Sequence, residues 1–149
     1  MQSYNIPVKD VAEYFLSKVD TEAGDCISNL KIQKLVYYAQ GFVLAFTNKK
    51  LFNENIVAWQ HGPVVIELYD AYRKYGANCI KPEDSYSFAS ITSNEELIDI
   101  LDDVYSVYGQ FSAWKLREMT HEEGPWKDFE LNEVISIKDI LDFFKTQIA

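Results

Sequence analysis

The sequence predicts a mainly α-helical protein, a single compact domain (residues 1–149) of about six helices around one buried helix at about residues 29–47. The stretch Leu30–Phe46 contains no proline and is apolar over most of its circumference, which is typical of a helix buried on most sides. Polar residues suited to capping helices precede several of the other apolar, helically spaced stretches. A length of 149 residues suits one hydrophobic core.

The first helix is predicted to begin at Pro7 and to end near Asp20. Proline is well placed at a first helical position because its missing N–H has no partner there in any case. The residues that follow place a regular apolar face on one side, and Gly24 lies in the loop that leaves the helix.

The central helix should be capped by Ser28 or Asn29. Its predicted apolar face consists of Ile32, Leu35, Ala39, Phe42, Val43 and Phe46. It is too short and too polar in its first turns to span a membrane. A second stripe, which includes Lys31, Lys34, Gly41 and Ala45, should reach water at its charged end and permit close helix packing at its small end.

The region after the central helix is predicted to contain one short strand and a third helix. Residues 56–60 are rich in β-branched and aromatic side chains, which favours a strand. Gly62-Pro63 should end that strand and begin a helix that stops at Gly76. Alternating side chains in residues 85–90 allow a second strand, so the prediction includes a small two-stranded β ribbon.

Three further helices complete the prediction. Ser93-Asn94-Glu95-Glu96 has the form of a capping box and should begin a helix that ends at Gly109. Ser112 should cap a shorter helix that stops before Gly124-Pro125, and Ser136 should begin the last one.

The two cysteines, Cys26 and Cys79, lie far apart in the sequence. Their small number argues against a disulfide framework and favours a reducing, cytoplasmic location. The N-terminal residues show no basic segment followed by an apolar run, so we expect no signal peptide.

The negative charge is concentrated in the second half of the chain. Residues 1–80 contain equal numbers of acidic and basic side chains, so residues 81–149 carry the whole net charge of −9. Such a surface repels phosphate backbones, so we expect no direct nucleic-acid binding. It is either a solubilising face or a surface for a basic protein, with Asp99, Asp102 and Asp103 as the candidate partner-binding residues.

Catalytic and metal-binding patterns are weak in this sequence. His121 and Glu122 begin like a metalloprotease helix, but Pro125 stands where a second histidine is required. Neither cysteine has a basic or glycine-rich setting that would lower its pKa, and no phosphate-binding or dinucleotide-binding motif is present. We therefore expect no catalytic residues, no metal and no cofactor.

A polar stripe runs along the central helix through Gln33, Tyr37 and Gln40. Polar groups on an apolar helix need partners, so the stripe either bonds internal groups or lines a surface groove. Together with Trp59 and His61 from the turn before Gly62-Pro63, these three residues are the candidate partner-binding surface on this side of the protein.

Several motifs occur together in a distinctive order. They are Leu30-Lys31-Ile32-Gln33-Lys34-Leu35-Val36-Tyr37-Tyr38-Ala39-Gln40-Gly41, then Leu51-Phe52, then Ala58-Trp59 with His61-Gly62-Pro63-Val64-Val65, and finally Thr120-His121 through Gly124-Pro125-Trp126. This combination, over about residues 8–130, resembles the Panacea antitoxin domain family, also called SocA-like or phage-associated GepA-like.

The resemblance implies a cytoplasmic bacterial or phage-borne antitoxin that neutralises a cognate toxin by direct protein–protein binding. It also implies an alternative, in which the protein is an adaptor that delivers the toxin to a cytosolic ATP-dependent protease. Some family members carry a DNA-binding helix-turn-helix module ahead of this domain; we expect none here. A small hydrolase that uses His61 or His121 is the alternative from a different functional class. The family carries no enzymatic residues that could be transferred to this sequence, and the sequence assigns no oligomeric state.

Overall fold

A computed structural model describes residues 1–148. Within that range the chain forms eight α-helices, a two-stranded antiparallel hairpin and one 3₁₀ turn. The helices are α1 (Val8–Leu16), α2 (Asn29–Thr47), α3 (Ile66–Ala71), α4 (Ala89–Thr92), α5 (Glu95–Tyr108), α6 (Ala113–Glu122), α7 (Gly124–Lys127) and α8 (Ile137–Lys145). The strands are β1 (Val57–Trp59) and β2 (Gly62–Val64), and the 3₁₀ turn is Arg73–Tyr75. The predicted mainly α fold with a small β ribbon is therefore confirmed, whereas the extent of a single domain over residues 1–149 stays a prediction.

The central helix α2 is the buried element around which the other helices pack. It contacts α1, α3, α5, α6, α8 and β2, and Ile32, Leu35 and Ala39 are fully inaccessible to water. Ser28 caps it by accepting a hydrogen bond from the backbone of Lys31 at 3.2 Å, and Asn48 ends it in a left-handed conformation. The predicted bounds of this helix are confirmed.

Two expectations about the surface of α2 are wrong. Phe46, which was expected on the buried face, is 58% exposed, because it lies in the last turn, beyond the helices that cover the rest. Lys34, which was expected to reach water, is fully buried. Lys31 is half-buried and donates from Nζ to the carbonyl oxygen of Gly109 at 2.6 Å.

The close helix packing predicted at the small residues of the second α2 stripe is confirmed at Gly41. At Gly41 an added Cβ would overlap the ring of Phe144 in α8. Phe144 is fully buried and packs edge-to-face against Tyr37, Tyr38 and Phe42. The absence of a side chain at position 41 therefore lets the last helix lie against α2.

The hairpin differs from the predicted ribbon. β1 pairs with β2, so that Val57 lies opposite Val64 and Ala58 opposite Pro63, and the third helix begins at Ile66 rather than at Pro63. The predicted second strand at residues 85–90 does not form, and its last two residues lie in α4 instead.

Pro63 fits inside a strand because of its position in the hydrogen-bond pattern. Its partner Ala58 points its peptide groups away from β2: the Ala58 N–H donates to Glu133 at 2.9 Å, and its carbonyl oxygen accepts from Asn132 at 2.7 Å. Ala58 and Pro63 are thus a non-hydrogen-bonded pair, in which a missing N–H has no cost. The 132–133 segment satisfies the outer edge of β1.

The caps of the later helices follow the prediction closely. Ser112 accepts from the backbone of Lys115 at 3.0 Å, and Ser136 accepts from that of Asp139 at 3.1 Å. For α5 the cap is Asn94, which accepts from the backbone of Leu97 at 3.2 Å, one residue later than the predicted capping box begins. The two unpredicted helices, α4 and α7, are only one turn long.

The expectation that the cysteines argue against disulfide bonding is wrong. Cys26 and Cys79 form a disulfide, with Cα atoms 5.2 Å apart and a separation of 53 positions in sequence. Next to it the backbone of Ile80 donates to Ile27 at 2.8 Å. The spacing of two cysteines says nothing about their distance in the fold, so the cysteine count does not support a reducing location.

None of the helices within residues 1–148 is both long enough and apolar enough to cross a membrane.

Replacement of Gly41 by alanine is expected to destabilise the protein by about 1–3 kcal/mol, because the new methyl group would displace the Phe144 ring. On helix propensity alone the same change would stabilise α2 by about 1 kcal/mol. Urea unfolding of the wild type and the variant measures the difference. The double variant Gly41→Ala, Phe144→Leu should lose less free energy of unfolding than the sum of the losses in the two single variants. A Gly41→Ala variant that is more stable than the wild type would contradict this packing.

Loss of the disulfide is expected to lower the free energy of unfolding by about 2–4 kcal/mol, because the bond closes a long loop in the unfolded chain. Unfolding in the presence and absence of a thiol reductant measures this. The double variant Cys26→Ser, Cys79→Ser is the control and should be insensitive to the reductant; equal sensitivity of both proteins would contradict the bond.

Candidate functional site

The turn between β1 and β2 is where the separate sequence motifs meet. The indole N–H of Trp126 donates to the carbonyl oxygen of Trp59 at 2.8 Å. The Arg117 Nε donates to His61 Nδ1 at 2.9 Å. Between them, the backbone of Gln60 lies close enough to His121 to raise the pKa of its imidazole, although burial outweighs this effect. Helices α6 and α7 therefore hold the hairpin turn through direct bonds to Trp59 and His61.

Gly62 allows this turn to lie directly on α2 and α6. Its φ of +113° is unfavourable for other residues. A Cβ at this position would lie 2.7 Å from Cε of Lys34 and 2.8 Å from Oγ1 of Thr120. Lys34 Nζ donates to the carbonyl oxygen of Pro63 at 3.1 Å, so this buried lysine ties the hairpin to α2.

Several basic side chains lie around the turn. Burial, together with the charge of Arg117, lowers the pKa of Lys34 to about 7. Burial also lowers the pKa of His121, with Arg117 and Lys34 acting in the same direction. The guanidinium of Arg117 lies 4.4 Å from the ring centre of Trp114, over its face. Since the shifts at Lys34 and His121 favour their neutral forms, Arg117 is the main positive charge among these three groups.

A cavity of about 700 Å³ opens beside the turn. Its walls include the aromatic side chains of Trp59, Tyr69 and Trp114, together with His61 and Leu131. One wall is formed by residues 28–30 and 76–77, the two segments that the disulfide joins. The volume is within the range that accepts a ligand or a few side chains of a partner.

The structure brings some of the predicted partner-binding residues together and separates others. Gln33, Trp59 and His61 line the cavity, whereas Tyr37 and Gln40 lie in the interior and do not line it. Sequence reasoning did not find Trp114, because a tryptophan at the start of a short helix gave no pattern to distinguish it from a core residue.

The two glutamines of the polar stripe on α2 bond internal groups, which is one of the two alternatives for it, whereas Tyr37 Oη has no protein partner within residues 1–148. Gln33 Nε2 donates to Asn29 at 3.0 Å, and its oxygen accepts from the backbone of Val65 at 2.9 Å. Gln40 donates to the carbonyl oxygen of Phe52 at 2.8 Å and accepts from the backbone of Leu51 at 2.7 Å. Partner binding by Gln33, Tyr37 and Gln40 stays a prediction, and in this conformation the amides of both glutamines are already bonded inside the protein.

The predicted acidic surface on α5 is divided. Asp99 and Asp103 are exposed. Asp102 is half-buried; it accepts from the hydroxyl of Tyr14 at 2.6 Å and pairs with Lys18 at 2.7 Å. Burial raises the pKa of Asp102, but the bonds from Lys18 and Tyr14 outweigh this and lower it overall. Asp102 thus has an internal role, and Asp99 and Asp103 remain available to a partner.

A second, apolar groove borders this acidic face. It encloses about 460 Å³ and is lined by Asp103 together with Phe46, Val107 and Ile100. Phe46 and Val107 are 58% and 50% exposed. The expectation that Phe46 faces the core concealed this groove at the sequence level.

A buried group of polar side chains lies on the far side of α6. Tyr38 donates to Oε1 of Glu123 at 2.8 Å and stacks on Tyr108 with ring centres 4.0 Å apart. Burial raises the pKa of Glu123 to about 7, against the lowering effect of the Tyr38 bond. In the part of the chain that the structure describes, Tyr37 Oη, His121 Nε2 and Glu123 Oε2 have no protein partner.

Both histidine rings are engaged in contacts within the protein. His61 Nδ1 is occupied by Arg117, and His121 stacks on Trp126 with ring centres 3.9 Å apart. Among residues 1–148, no group of three or more histidine, cysteine, aspartate or glutamate side chains could hold a metal ion.

Glu123 makes stability depend on pH. Its pKa is about 7 in the folded protein against 4.5 for a free side chain, so between these values the folded state holds a proton that the unfolded state has lost. The free energy of unfolding should therefore decrease as pH rises through this window, by about 3 kcal/mol in total.

The variant Glu123→Gln should remove this dependence and become more stable than the wild type above pH 7. Urea unfolding between pH 4 and pH 8 measures it. The exposed neighbour supplies a control, Glu122→Gln, whose profile should follow the wild type; parallel profiles for wild type and Glu123→Gln would contradict the assignment.

The sequence motifs that meet at the turn lie within a region that matches a known protein family. The family model described as "Antitoxin SocA-like, Panacea domain" matches residues 32–127. Antitoxin SocA of Caulobacter vibrioides (strain NA1000 / CB15N) is 31% identical over 109 residues, which cover 67% of this chain and 58% of that relative. The chain thus spans less than two thirds of the length of the relative, and no solved structure matches. Because the family model covers more than half of the chain, including α2, the hairpin and α6, this protein belongs to the SocA-like antitoxin, Panacea domain family.

Proposed function

We propose that this protein is a non-enzymatic antitoxin that neutralises a toxin protein by binding it directly. Membership of the SocA-like family supports an antitoxin role. The observation that carries the binding mode is the acidic face of α5 beside the exposed apolar groove at Phe46 and Val107.

The chemistry of this face fits a basic partner. Asp99 and Asp103 project from α5 with no ion-pair partner among residues 1–148, and the whole net charge lies in this half of the chain. Exposed apolar side chains next to like charges form an interface in which burial supplies affinity and charge supplies orientation. A toxin that acts on RNA or nucleotides would carry the complementary basic surface.

The geometry of the two histidines supports a binding role over the hydrolase alternative. An imidazole whose Nδ1 accepts from a guanidinium, as in His61, is poorly placed to take a proton from a nucleophile. His121 is held between Trp126 and the backbone of Gln60. Both rings therefore fasten the turn.

We place this activity in the cytoplasm, beside the toxin.

The variant Asp99→Lys, Asp103→Lys is expected to abolish neutralisation of the cognate toxin, because it reverses the charge of the binding face while leaving Asp102 bonded to Tyr14 and Lys18. Growth of cells that co-express the protein with the product of the neighbouring reading frame measures neutralisation, and co-purification measures binding.

The control is Glu22→Lys, Asp84→Lys, which makes the same change in net charge at two exposed loop positions. It should neutralise normally. Full protection by the Asp99→Lys, Asp103→Lys variant would contradict the proposed face.

Direct masking and delivery to an ATP-dependent protease predict different fates for the toxin. Under masking, the half-life of the toxin in cells that contain the antitoxin is the same with and without the protease. Under delivery, the half-life lengthens when the protease is removed.

A further inference from the structure

The cavity beside the hairpin turn has a chemistry opposite to that of the acidic face. Its walls are aromatic and apolar, and the one strong charge at its edge belongs to Arg117. Within residues 1–148 that guanidinium forms no ion pair. It is instead fixed between two lining side chains, by its hydrogen bond to His61 and its contact with Trp114.

Arg117 is therefore a preorganised donor rather than a mobile surface cation. Its Nε is used by His61, while the terminal nitrogens of the fork are the groups that bind a carboxylate. The charge of Arg117 lowers the pKa of both Lys34 and His121, which places all three groups in the same corner of the protein and leaves Arg117 as its main positive charge.

Two polar side chains that α2 contributes to the cavity lining are already engaged. Asn29 donates to the carbonyl oxygen of Tyr69 at 3.0 Å, and both ends of the Gln33 amide are bonded to neighbours. An apolar side chain needs no polar partner at that wall.

The rim of the cavity is apolar and open to solvent. Trp114 is 56% exposed and Leu131 is 57% exposed. Exposed aromatic and aliphatic groups around a concave site, with an arginine beside them, are typical of the energetic centre of a protein–protein interface.

We propose that this cavity binds a segment of a partner protein in which a carboxylate stands next to a large apolar side chain. The apolar side chain enters between Trp59 and Trp114, and the carboxylate accepts from the terminal nitrogens of Arg117. The proposal rests on the proposed function only in that the protein acts by binding another protein; its surface is separate from the acidic face of α5.

The test uses two short peptides, acetyl-Phe-Asp-amide and acetyl-Phe-Asn-amide, titrated into the ¹⁵N-labelled full chain. The indole N–H signals of Trp59 and Trp114 report on the cavity. We expect both signals to shift with the aspartate peptide, and its affinity to exceed that of the asparagine peptide by about fivefold or more.

The variant Arg117→Gln should bind both peptides equally, whereas the control Lys115→Gln, on the same helix and exposed, should keep the preference. Trp114→Ala, at an exposed position, should weaken the binding of both peptides. This variant keeps the test decisive if Arg117→Gln does not fold. Equal affinity of the two peptides for the wild type, or shifts that spare Trp59 and Trp114, would overturn the proposal.

This test is separable from that of the antitoxin function. A wild-type protein that binds the aspartate peptide but neutralises no toxin contradicts the proposed function alone. One that neutralises its toxin but shows no preference for the aspartate peptide contradicts the cavity proposal alone. If the segment belongs to the toxin, Arg117→Glu abolishes neutralisation and a carboxylate-to-lysine change in the toxin restores it; if neutralisation is unaffected while peptide binding is lost, the segment belongs to a second partner.

Discussion

The burial of most of α2 is the constraint on which the rest of the structure depends. Polar side chains on the buried part of a helix need partners inside the protein. Gln40 forms hydrogen bonds with the backbone of residues 51–52, and Gln33 accepts one from the backbone of Val65, just after β2. Lys34 donates to the carbonyl oxygen of Pro63 in the hairpin. The polar residues of the central helix thus position the loops around it as well as satisfying their own hydrogen bonds.

The hairpin turn shows how local and distant residues cooperate. Gly62 supplies the backbone conformation, Pro63 occupies a strand position where no N–H is required, and Arg117, His121 and Trp126 hold the turn from the far end of the sequence. Since α6 supplies two of these contacts and also the Trp114 wall, the same short helix both stabilises the turn and shapes the cavity.

The parts of the fold that sequence reasoning predicted are those governed by local chemistry. The bounds of α2 and the serine caps of α6 and α8 follow from residues within a few positions of one another. The small residue Gly41 predicted a close helix contact, but its partner Phe144 comes from a distant part of the chain. The hairpin register, the burial of Lys34 and the Cys26–Cys79 bond also depend on residues distant in sequence, and a Gly-Pro pair fits a helix start and a strand equally well. For the candidate site, Trp59, His61 and Gln33 line the cavity, and their role in partner binding stays a prediction. Trp114 and Arg117 gave no sequence signal because their position beside the cavity depends on how α6 packs.

Net charge is a poor guide to this protein because its charges are segregated. Five acidic side chains lie on α5, at residues 95, 96, 99, 102 and 103, whereas Lys34, His61, Arg117 and His121 converge from three distant parts of the chain on one turn. Burial and the charge of Arg117 lower the pKa of Lys34 and of His121, so the positive charge among these three groups belongs chiefly to Arg117. Although α6 also carries Glu118 and Glu122, Arg117 forms no ion pair within residues 1–148. The uncompensated arginine beside an open aromatic cavity is therefore best understood as a group whose counter-charge is brought by a binding partner.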